Sequence, residues 1–458
     1  MNRNALILLG KLCCVLIPIA ITGCSKDNPV SVNMVNKYRA DIEEVREQVQ
    51  RSRDLNFLSK IKVGSITREQ YGNRYTFYPY AEALMVTFKQ LGYLPDTLTS
   101  LEKILIDYNA GFPAAYYTHG SDSVTLVESD ITRARFRGLI AHEFTHALQD
   151  QNFNIGGDAF LPSITTSIFN SDFYIARTSM VEGDAEIQEL KFQSNITSVS
   201  AIVDTFETRS KEYLEYINRF QFPGYLRVRS YFPYYMGALR IALLYQNGGW
   251  NAVNSIFHTN RILSTAEVLT GEKFEPVNFS VSDITKEWTE NSIKIQFADD
   301  DNYGAVMIMA LLSDYVDIEQ CKRAFGWCGD RLIYMRSNDE QWGKMVWSFA
   351  FKENNDAIYI MKGLDRVLQT RKLNGASPSK TFSIPDSLVN YTTGNVKTSL
   401  IRSGKYLFWI ENMNNPQTVA SNIINSTLSK RDVADNRIKV SSEMTTTKRA
   451  LLNCILNK

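Results

Sequence analysis

Apolar side chains recur at helical spacing through most of the N-terminal two-thirds of the chain. Intervals of three and four residues between apolar positions indicate amphipathic or buried helices. The segments with this pattern are 37–52, 79–91, 98–109, 132–150, 172–193, 201–219 and 231–246. One short segment, 123–127, alternates between apolar and polar residues in the manner of a strand. The unit formed by residues 37–300 is therefore predicted to be mainly helical.

The pattern changes after about residue 301. Helix-like and strand-like segments then alternate, at 305–325, 331–335, 344–351, 356–368 and 405–410. This mixture predicts a smaller α+β unit over residues 301–430. Residues 431–458 form a polar tail with weak patterning. The predicted fold class of the whole chain is α+β and mainly helical.

The N-terminus has the pattern of a bacterial export signal. Basic residues precede an apolar run, 12–21, which is too short for a comfortable membrane span. The run is followed by Cys24 in a sequence, I-T-G-C, that resembles a lipobox. We therefore expect residues 1–23 to be a lipoprotein signal peptide, Cys24 to be lipidated, and residues 24–36 to be a tether. The alternative is an ordinary signal peptide with a chance cysteine.

A lipid anchor would place the protein in the bacterial cell envelope, on the outer membrane or the cell surface. The segment 25–27, directly after the cysteine, is similar to the surface-export signal of Bacteroidota lipoproteins. Acyl chains anchor a protein to a membrane without spanning it. No later segment is apolar for long enough to cross a bilayer. The membrane is thus an expected partner only through the anchor.

Composition excludes some classes of protein. There are 50 Lys and Arg against 49 Asp and Glu, so no basic excess indicates nucleic-acid binding and no acidic excess indicates disorder. Apolar residues make up 44% of the chain, enough for a large core. Cys321 and Cys328 are close enough in sequence to form a disulfide in an oxidising compartment. Two buried free thiols are an equally open interpretation.

The candidate chemistry lies in the predicted helix 132–150, which contains H-E-x-x-H as His142, Glu143 and His146. A helix places residues four apart on one face, so the two imidazoles can bind one ion together. A catalytic zinc ion takes three protein ligands and a water, which predicts one Zn²⁺ per chain. The alternative is a pair of helix-face histidines beside a solvated glutamate.

The third ligand is expected from a separate helix downstream. Glu182 and Glu186 lie four residues apart in the predicted helix 172–193. Glu182 is the predicted ligand, and Glu186 is expected to orient a ligand histidine. Gly183 is expected to permit close approach to the H-E-x-x-H helix. A solvated acidic helix face is the alternative for this cluster.

The remaining roles follow from the chemistry of hydrolysis. Glu143 is the expected general base, taking a proton from water as the water attacks a carbonyl. The oxyanion needs a second stabiliser, for which we choose Tyr234. The other candidates for this stabiliser are Tyr235, Arg240 and His258. Each tyrosine is also interpretable as an ordinary core residue.

Two further expectations concern the surroundings of the motif. Asp150, four residues after His146, either supports a ligand from outside the metal shell or simply ends the helix. The strand 123–127 leads into the helix, and a free edge there would allow an extended peptide substrate to pair with it. An ordinary sheet strand is the alternative.

The motif helix resembles that of known zinc peptidases. Residues 139–150 resemble the active-site helix of thermolysin, and Glu182 to Ala185 resemble the N-E-G-x-A motif of the gluzincin aminopeptidases. This resemblance implies a zincin-like unit in which an active-site helix lies beside an edge strand. It also implies His142, His146 and Glu182 as zinc ligands. Thirty-five residues separate His146 from Glu182, more than in those families, which implies an insertion between the two helices.

A second resemblance covers about residues 53–368. The chain is similar to a group of largely uncharacterised, often secreted bacterial metallopeptidases that share HALQDQ, VEGDA and GWxGDR sequences. The resemblance implies a peptide or protein substrate. Two alternatives remain: a catalytically weak lipoprotein that uses the same fold for binding or assembly, and a zinc amidase that acts on cell-wall peptides.

Overall fold

The computed structural model describes residues 33–73, 81–110, 114–156, 170–216, 231–259, 264–281, 295–337 and 339–428. Of these residues, 56% are helical and 20% lie in strands, which confirms the predicted α+β, mainly helical class. The signal peptide, Cys24 and the tail 431–458 lie outside the described residues. Residues 33–36 of the predicted tether belong to a helix instead, because Met34 packs into a buried apolar cluster.

The helices, numbered in chain order, are α1 (Asn33–Lys37), α2 (Arg39–Arg53), α3 (Arg68–Gly72), α4 (Ala81–Leu91), α5 (Leu101–Ala110), α6 (Arg133–Phe153), α7 (Ser171–Ser194), α8 (Val199–Tyr216), α9 (Ala238–Thr259), α10 (Thr265–Thr270), α11 (Gly304–Leu312), α12 (Ile318–Cys321), α13 (Asn354–Thr370) and α14 (Pro416–Leu428). A π-helical turn, Pro233–Gly237, leads directly into α9 and is called the π-turn below. A 3₁₀ turn, Lys322–Gly326, follows α12.

The strands are β1 (Lys62–Ile66), β2 (Ala115–Thr118), β3 (Ser123–Val127), β4 (Ile295–Asp301), β5 (Trp327–Ser337), β6 (Lys344–Phe351), β7 (Pro378–Ile384), β8 (Leu388–Thr393), β9 (Val396–Ser403) and β10 (Tyr406–Glu411). Strand β4 crosses the boundary at residue 300 that separates the two predicted units. None of the described helices is long and apolar enough to cross a bilayer.

Strand β3 has the bounds predicted from the sequence, but it is not an edge strand. It is the central strand of a three-stranded sheet in which β1 pairs with it in parallel and β2 pairs with it antiparallel. Both sides of β3 are thus occupied by other strands of the same sheet, and a substrate cannot add to it. The expectation of a free β3 edge beside the active-site helix is wrong.

The other strands form a seven-stranded antiparallel sheet in the order β4-β5-β6-β10-β9-β8-β7. Its central strands are buried on both faces. In β6, Trp347 faces the main core, whereas Val346 faces a second cluster that includes apolar residues of α14. The main core continues from this sheet into helices α7, α9 and α11 without interruption. Cys321, at the end of α12, and Cys328, in β5, are free thiols, so the disulfide considered above is not formed.

Helices α6 and α7 are covered on almost every side. Thr132 caps α6 by accepting a hydrogen bond from the Arg135 amide, and Asn170 caps α7 in the same way. All residues in 138–149 and 174–185 are buried. Helix α2 and strand β2 pack on α6, while α9 and the π-turn pack on α7. Polar groups between α6 and α7 are therefore shielded from water.

Candidate metal centre

Helices α6 and α7 run antiparallel and bring the predicted ligands together. His142 and His146 project from one face of α6, with their ring centroids 4.8 Å apart. The Oε2 atom of Glu182 lies 3.4 Å from His142 Nε2 and 3.5 Å from His146 Nε2. The three residues form a buried group that can hold a metal ion.

The polar atoms of this group have no other partners. His142 Nε2, His146 Nε2 and both carboxylate oxygens of Glu182 are buried and make no hydrogen bond within the described part of the chain. Burying polar atoms without partners costs several kcal/mol in total, at about 1–3 kcal/mol for each group. A metal ion would satisfy these atoms at once, so the residues present fit a metal site.

The distances also fit one particular coordination geometry. Ligand atoms about 2.0–2.1 Å from an ion at the tetrahedral angle lie roughly 3.4 Å from one another. The separations of Glu182 Oε2 from the two Nε2 atoms, 3.4 and 3.5 Å, are close to this value. Two imidazoles and one carboxylate suit zinc and other transition metals, whereas calcium and magnesium prefer oxygen ligands alone.

Glu143 lies beside the ligands and is fully buried. Neither of its carboxylate oxygens has a hydrogen-bond partner among the described residues. Burial raises the pKa of Glu143 to about 7, although His142 and His146 oppose the rise. The carboxylate is therefore free to accept a proton from a molecule bound next to it.

The histidines and glutamates of the site strongly affect one another's pKa values. Burial would lower the pKa of His142, but Glu182 and Glu189 outweigh it and hold this pKa well above its usual value. Burial would raise the pKa of Glu182, but His146 and His142 outweigh this effect and hold the pKa below its usual value. Without an ion, the carboxylates thus favour a protonated imidazole. A metal ion has to displace that proton.

The outer nitrogen of His142 faces two glutamates. Its Nδ1 atom lies 3.1 Å from Glu189 Oε2 and 3.7 Å from Glu186 Oε1. Glu186 is close to His142, as the sequence suggested, but Glu189 is closer and was not anticipated. Neither carboxylate makes a hydrogen bond with Nδ1, but their negative charges lie on that side of the ring and favour a proton there when Nε2 binds a metal.

The outer nitrogen of His146 faces an amide rather than a carboxylate. His146 Nδ1 lies 2.9 Å from Gln149 Oε1, and Gln149 in turn donates to Asp184. Sequence reasoning missed both residues. The signal that could have found them was available, since Gln149 and Asp184 belong to the HALQDQ and VEGDA sequences.

Asp150 does not lie with the ligands. Its carboxylate accepts hydrogen bonds from the Tyr117 hydroxyl and the Gly120 amide, and it lies 3.5 Å from His119 Nδ1. It fastens the end of α6 to the turn between β2 and β3. Of its two expected roles, the structure supports the one at the helix end.

Gly183 also has a different neighbour from the one expected. A Cβ atom at Gly183 would overlap the backbone of Gly237 in the π-turn. The glycine that allows α6 to approach α7 is Gly138, which faces Glu189 and Gln193. The expectation that Gly183 admits the H-E-x-x-H helix is therefore wrong.

The candidate oxyanion stabilisers fall into two groups. Tyr234 is buried in the π-turn, which packs on α7, and its proposed role stays a prediction. Burial and the nearby charge of Glu186 raise the pKa of Tyr235 to about 12. Arg240 is directed instead at the Gly271 carbonyl, and His258 packs against the Phe153 ring. Tyr235 is thus a candidate that interacts with a residue beside the ligands, Glu186.

Comparison of the chain with protein-family models, with curated proteins and with solved structures gave no match.

Proposed function

We propose that this protein is a zinc metallopeptidase in which His142, His146 and Glu182 bind the ion and Glu143 is the general base. The observation that carries the proposal is the convergence of buried, unpartnered polar atoms at one point between α6 and α7. A site with only a structural zinc would be closed by a fourth protein ligand. Here the fourth charged neighbour is Glu143, whose free carboxylate suits proton transfer.

The chemistry follows from the positions of these side chains. A bound zinc ion would supply positive charge that acidifies water and polarises the carbonyl of a peptide bond. Glu143 would take the proton of the attacking water and deliver it to the departing amine. Three protein ligands would leave the fourth position of a tetrahedral zinc ion for water and substrate. Tyr234 is the proposed partner of the oxyanion.

The proposed setting is the bacterial cell envelope. The lipobox-like sequence at Cys24 supports a lipid anchor on the outer membrane or cell surface. The proposed substrates are therefore peptides or proteins outside the cytoplasm.

Metal analysis of single variants tests the site. We expect about one zinc per chain, lost in His142→Ala and greatly weakened in Glu182→Ala, since each removes one of three ligands. The chain has four histidines, so His258→Ala is a matched control that should retain zinc. Loss of zinc in His258→Ala, or full retention in Glu182→Ala, would show that the ligands are assigned wrongly.

Digestion of a peptide library tests the reaction. Glu143→Gln should keep zinc and lose cleavage, because the amide cannot accept the proton. A wild-type protein that binds zinc but cleaves no peptide or protein would overturn the peptidase proposal. In that case cleavage of peptidoglycan would favour an amidase, and no cleavage at all would favour a binding lipoprotein.

A further inference from the structure

The side chain of Gln149 lies between a ligand histidine and a buried ion pair. Its Oε1 atom is 2.9 Å from His146 Nδ1. Its Nε2 atom donates to the Val181 carbonyl at 3.0 Å and to Asp184 Oδ2 at 2.8 Å. Gln149, His146 and Asp184 are all fully buried, so water does not compete for these contacts.

These contacts fix the orientation of the amide. A glutamine amide has two hydrogens, and here both are used by acceptors that cannot donate: a backbone carbonyl and a carboxylate. The oxygen must therefore point at His146. An oxygen can only accept, so His146 Nδ1 must carry the hydrogen. His146 Nε2 is then the nitrogen with a free lone pair, and it is the one that faces Glu182.

The orientation depends in turn on Arg53 in helix α2. The Arg53 Nε atom lies 2.8 Å from Asp184 Oδ1 and 3.0 Å from Oδ2, and both side chains are fully buried. Arg53 is itself held by Asn254 Oδ1, 2.7 Å from Nη2, and by the Trp250 ring, 4.1 Å away. The Arg53 guanidinium donates to both oxygens of Asp184, so the carboxylate faces Gln149 as an acceptor of its amide hydrogen.

We propose that Arg53, Asp184 and Gln149 form a positioning relay that keeps the proton of His146 on Nδ1 and leaves Nε2 free for a metal ion. The proposal rests on the metal-binding function proposed above. None of the three residues binds the ion, and their part is to set the tautomer and ring orientation of a ligand. Partners of this kind change metal affinity by about 10–100-fold. The relay makes the metal site depend on the docking of α2, which is remote in sequence.

Nitrogen NMR of the zinc-free wild-type protein, recorded at a pH high enough for the His146 ring to be neutral, tests the tautomer directly. Ring-nitrogen shifts distinguish a proton on Nδ1 from one on Nε2, and four histidines give few signals to assign. We expect His146 to carry its proton on Nδ1. A neutral His146 with its proton on Nε2 would overturn the relay. Since this measurement uses the wild-type chain, it does not depend on the folding of any variant.

Zinc affinity in matched variants tests the consequence. Gln149→Met removes the acceptor for His146 and should weaken zinc binding by about 10–100-fold, measured by competition with a chelator. Gln90→Met is the control, because Gln90 is a fully buried glutamine of α4 whose amide donates to the Gly343 carbonyl and to Glu411 and which contacts no ligand histidine. Its zinc affinity should stay within about threefold of wild type.

The outcomes distinguish a failure of the relay from a failure of the proposed metal-binding function. Equal zinc affinity in wild type and Gln149→Met would overturn the relay and leave the metal site intact. A wild-type protein that binds no zinc, but has the His146 proton on Nδ1, would overturn the metal function and support the order of hydrogen bonds proposed here.

Discussion

Gly183 and Gly237 meet where helix α7 crosses the π-turn, and neither position has room for a Cβ atom. A Cβ at Gly183 would overlap the Gly237 carbonyl group, and one at Gly237 would overlap the Ser179 carbonyl. Gly183 directly follows Glu182. The crossing therefore sets how closely helix α7, which carries the third ligand, can approach the tyrosines of the π-turn. Glycine is the one residue that permits such an approach of two backbones.

Gly183→Ala should therefore damage both stability and the site. Because the overlap is with backbone atoms, which cannot rotate away, we expect a loss of about 1–3 kcal/mol in the free energy of unfolding. Displacement of Glu182 should weaken zinc binding about tenfold or more. Denaturant unfolding and chelator competition measure the two effects.

Gly363→Ala in helix α13 is the matched control for Gly183→Ala. A Cβ at Gly363 meets the methyl ends of Leu312, which can move. The gain in helix propensity from glycine to alanine is about 1 kcal/mol, so this variant should stay close to wild type. Similar losses in the free energy of unfolding of the two variants would show that α7 and the π-turn are no more closely packed than the surroundings of Gly363.

The two glutamates behind His142 should contribute unequally. Glu189 lies 3.1 Å from His142 Nδ1 and Glu186 lies 3.7 Å away. Glu189→Met should lower zinc affinity about tenfold, because His142 loses the nearer of the two negative charges that its Nδ1 atom faces. Glu186→Met should have a smaller effect in the same chelator competition. The reverse order would favour the residue four positions after the ligand, as the sequence alone predicted.

The ligand set was predictable because its members lie at fixed short intervals. His142 and His146 are four residues apart on one helix, and Glu182 stands in a recognisable acidic sequence. The relay behind them was not predictable in this way. Arg53 and Asp184 are separated by 131 residues, and helical periodicity relates only neighbours along the chain. Only the packing of α2 against α7 brings the two together.

The strands also show which elements can be predicted from the sequence and which cannot. β6 was predicted with its observed bounds, because a long run of apolar residues is buried on both faces. β7 was missed, since Lys380 to Ile384 is exposed at every position and so has no inward face to create an alternating pattern. Its strand conformation depends on pairing with β8, a relationship that the sequence of β7 does not contain.

Asp172 predicts a pH dependence of stability. Burial raises its pKa to about 8, against the opposing hydrogen bonds from Thr265, and Asp330 and Asp301 add to the rise. The unfolded chain titrates near 3.8, so between these values the folded state holds the extra proton. Stability should therefore fall as the pH rises from about 4 to about 8, by at most about 1.4 kcal/mol per pH unit from this group.

Asp172→Asn should remove that contribution. Urea unfolding across the same pH range should give a flatter profile than wild type, with the difference growing toward pH 8. Asp330, whose pKa burial raises to about 6, acts in the same direction and remains in the variant. Parallel profiles for the two proteins would show that Asp172 is ionised in the folded state.

Removal of one member of the buried Arg53–Asp184 pair should be costly. Arg53→Met leaves Asp184 charged and unpaired in a site with no exposure, so we expect a loss of about 3–5 kcal/mol in the free energy of unfolding. Adding Asp184→Asn to Arg53→Met removes the stranded charge and should recover part of the loss. Lys322→Met, which breaks an exposed pair with Glu319, is the control and should change stability by less than about 1 kcal/mol. A double variant no more stable than Arg53→Met alone would show that lost packing of the Arg53 guanidinium against Trp250, rather than the unpaired charge of Asp184, accounts for the loss.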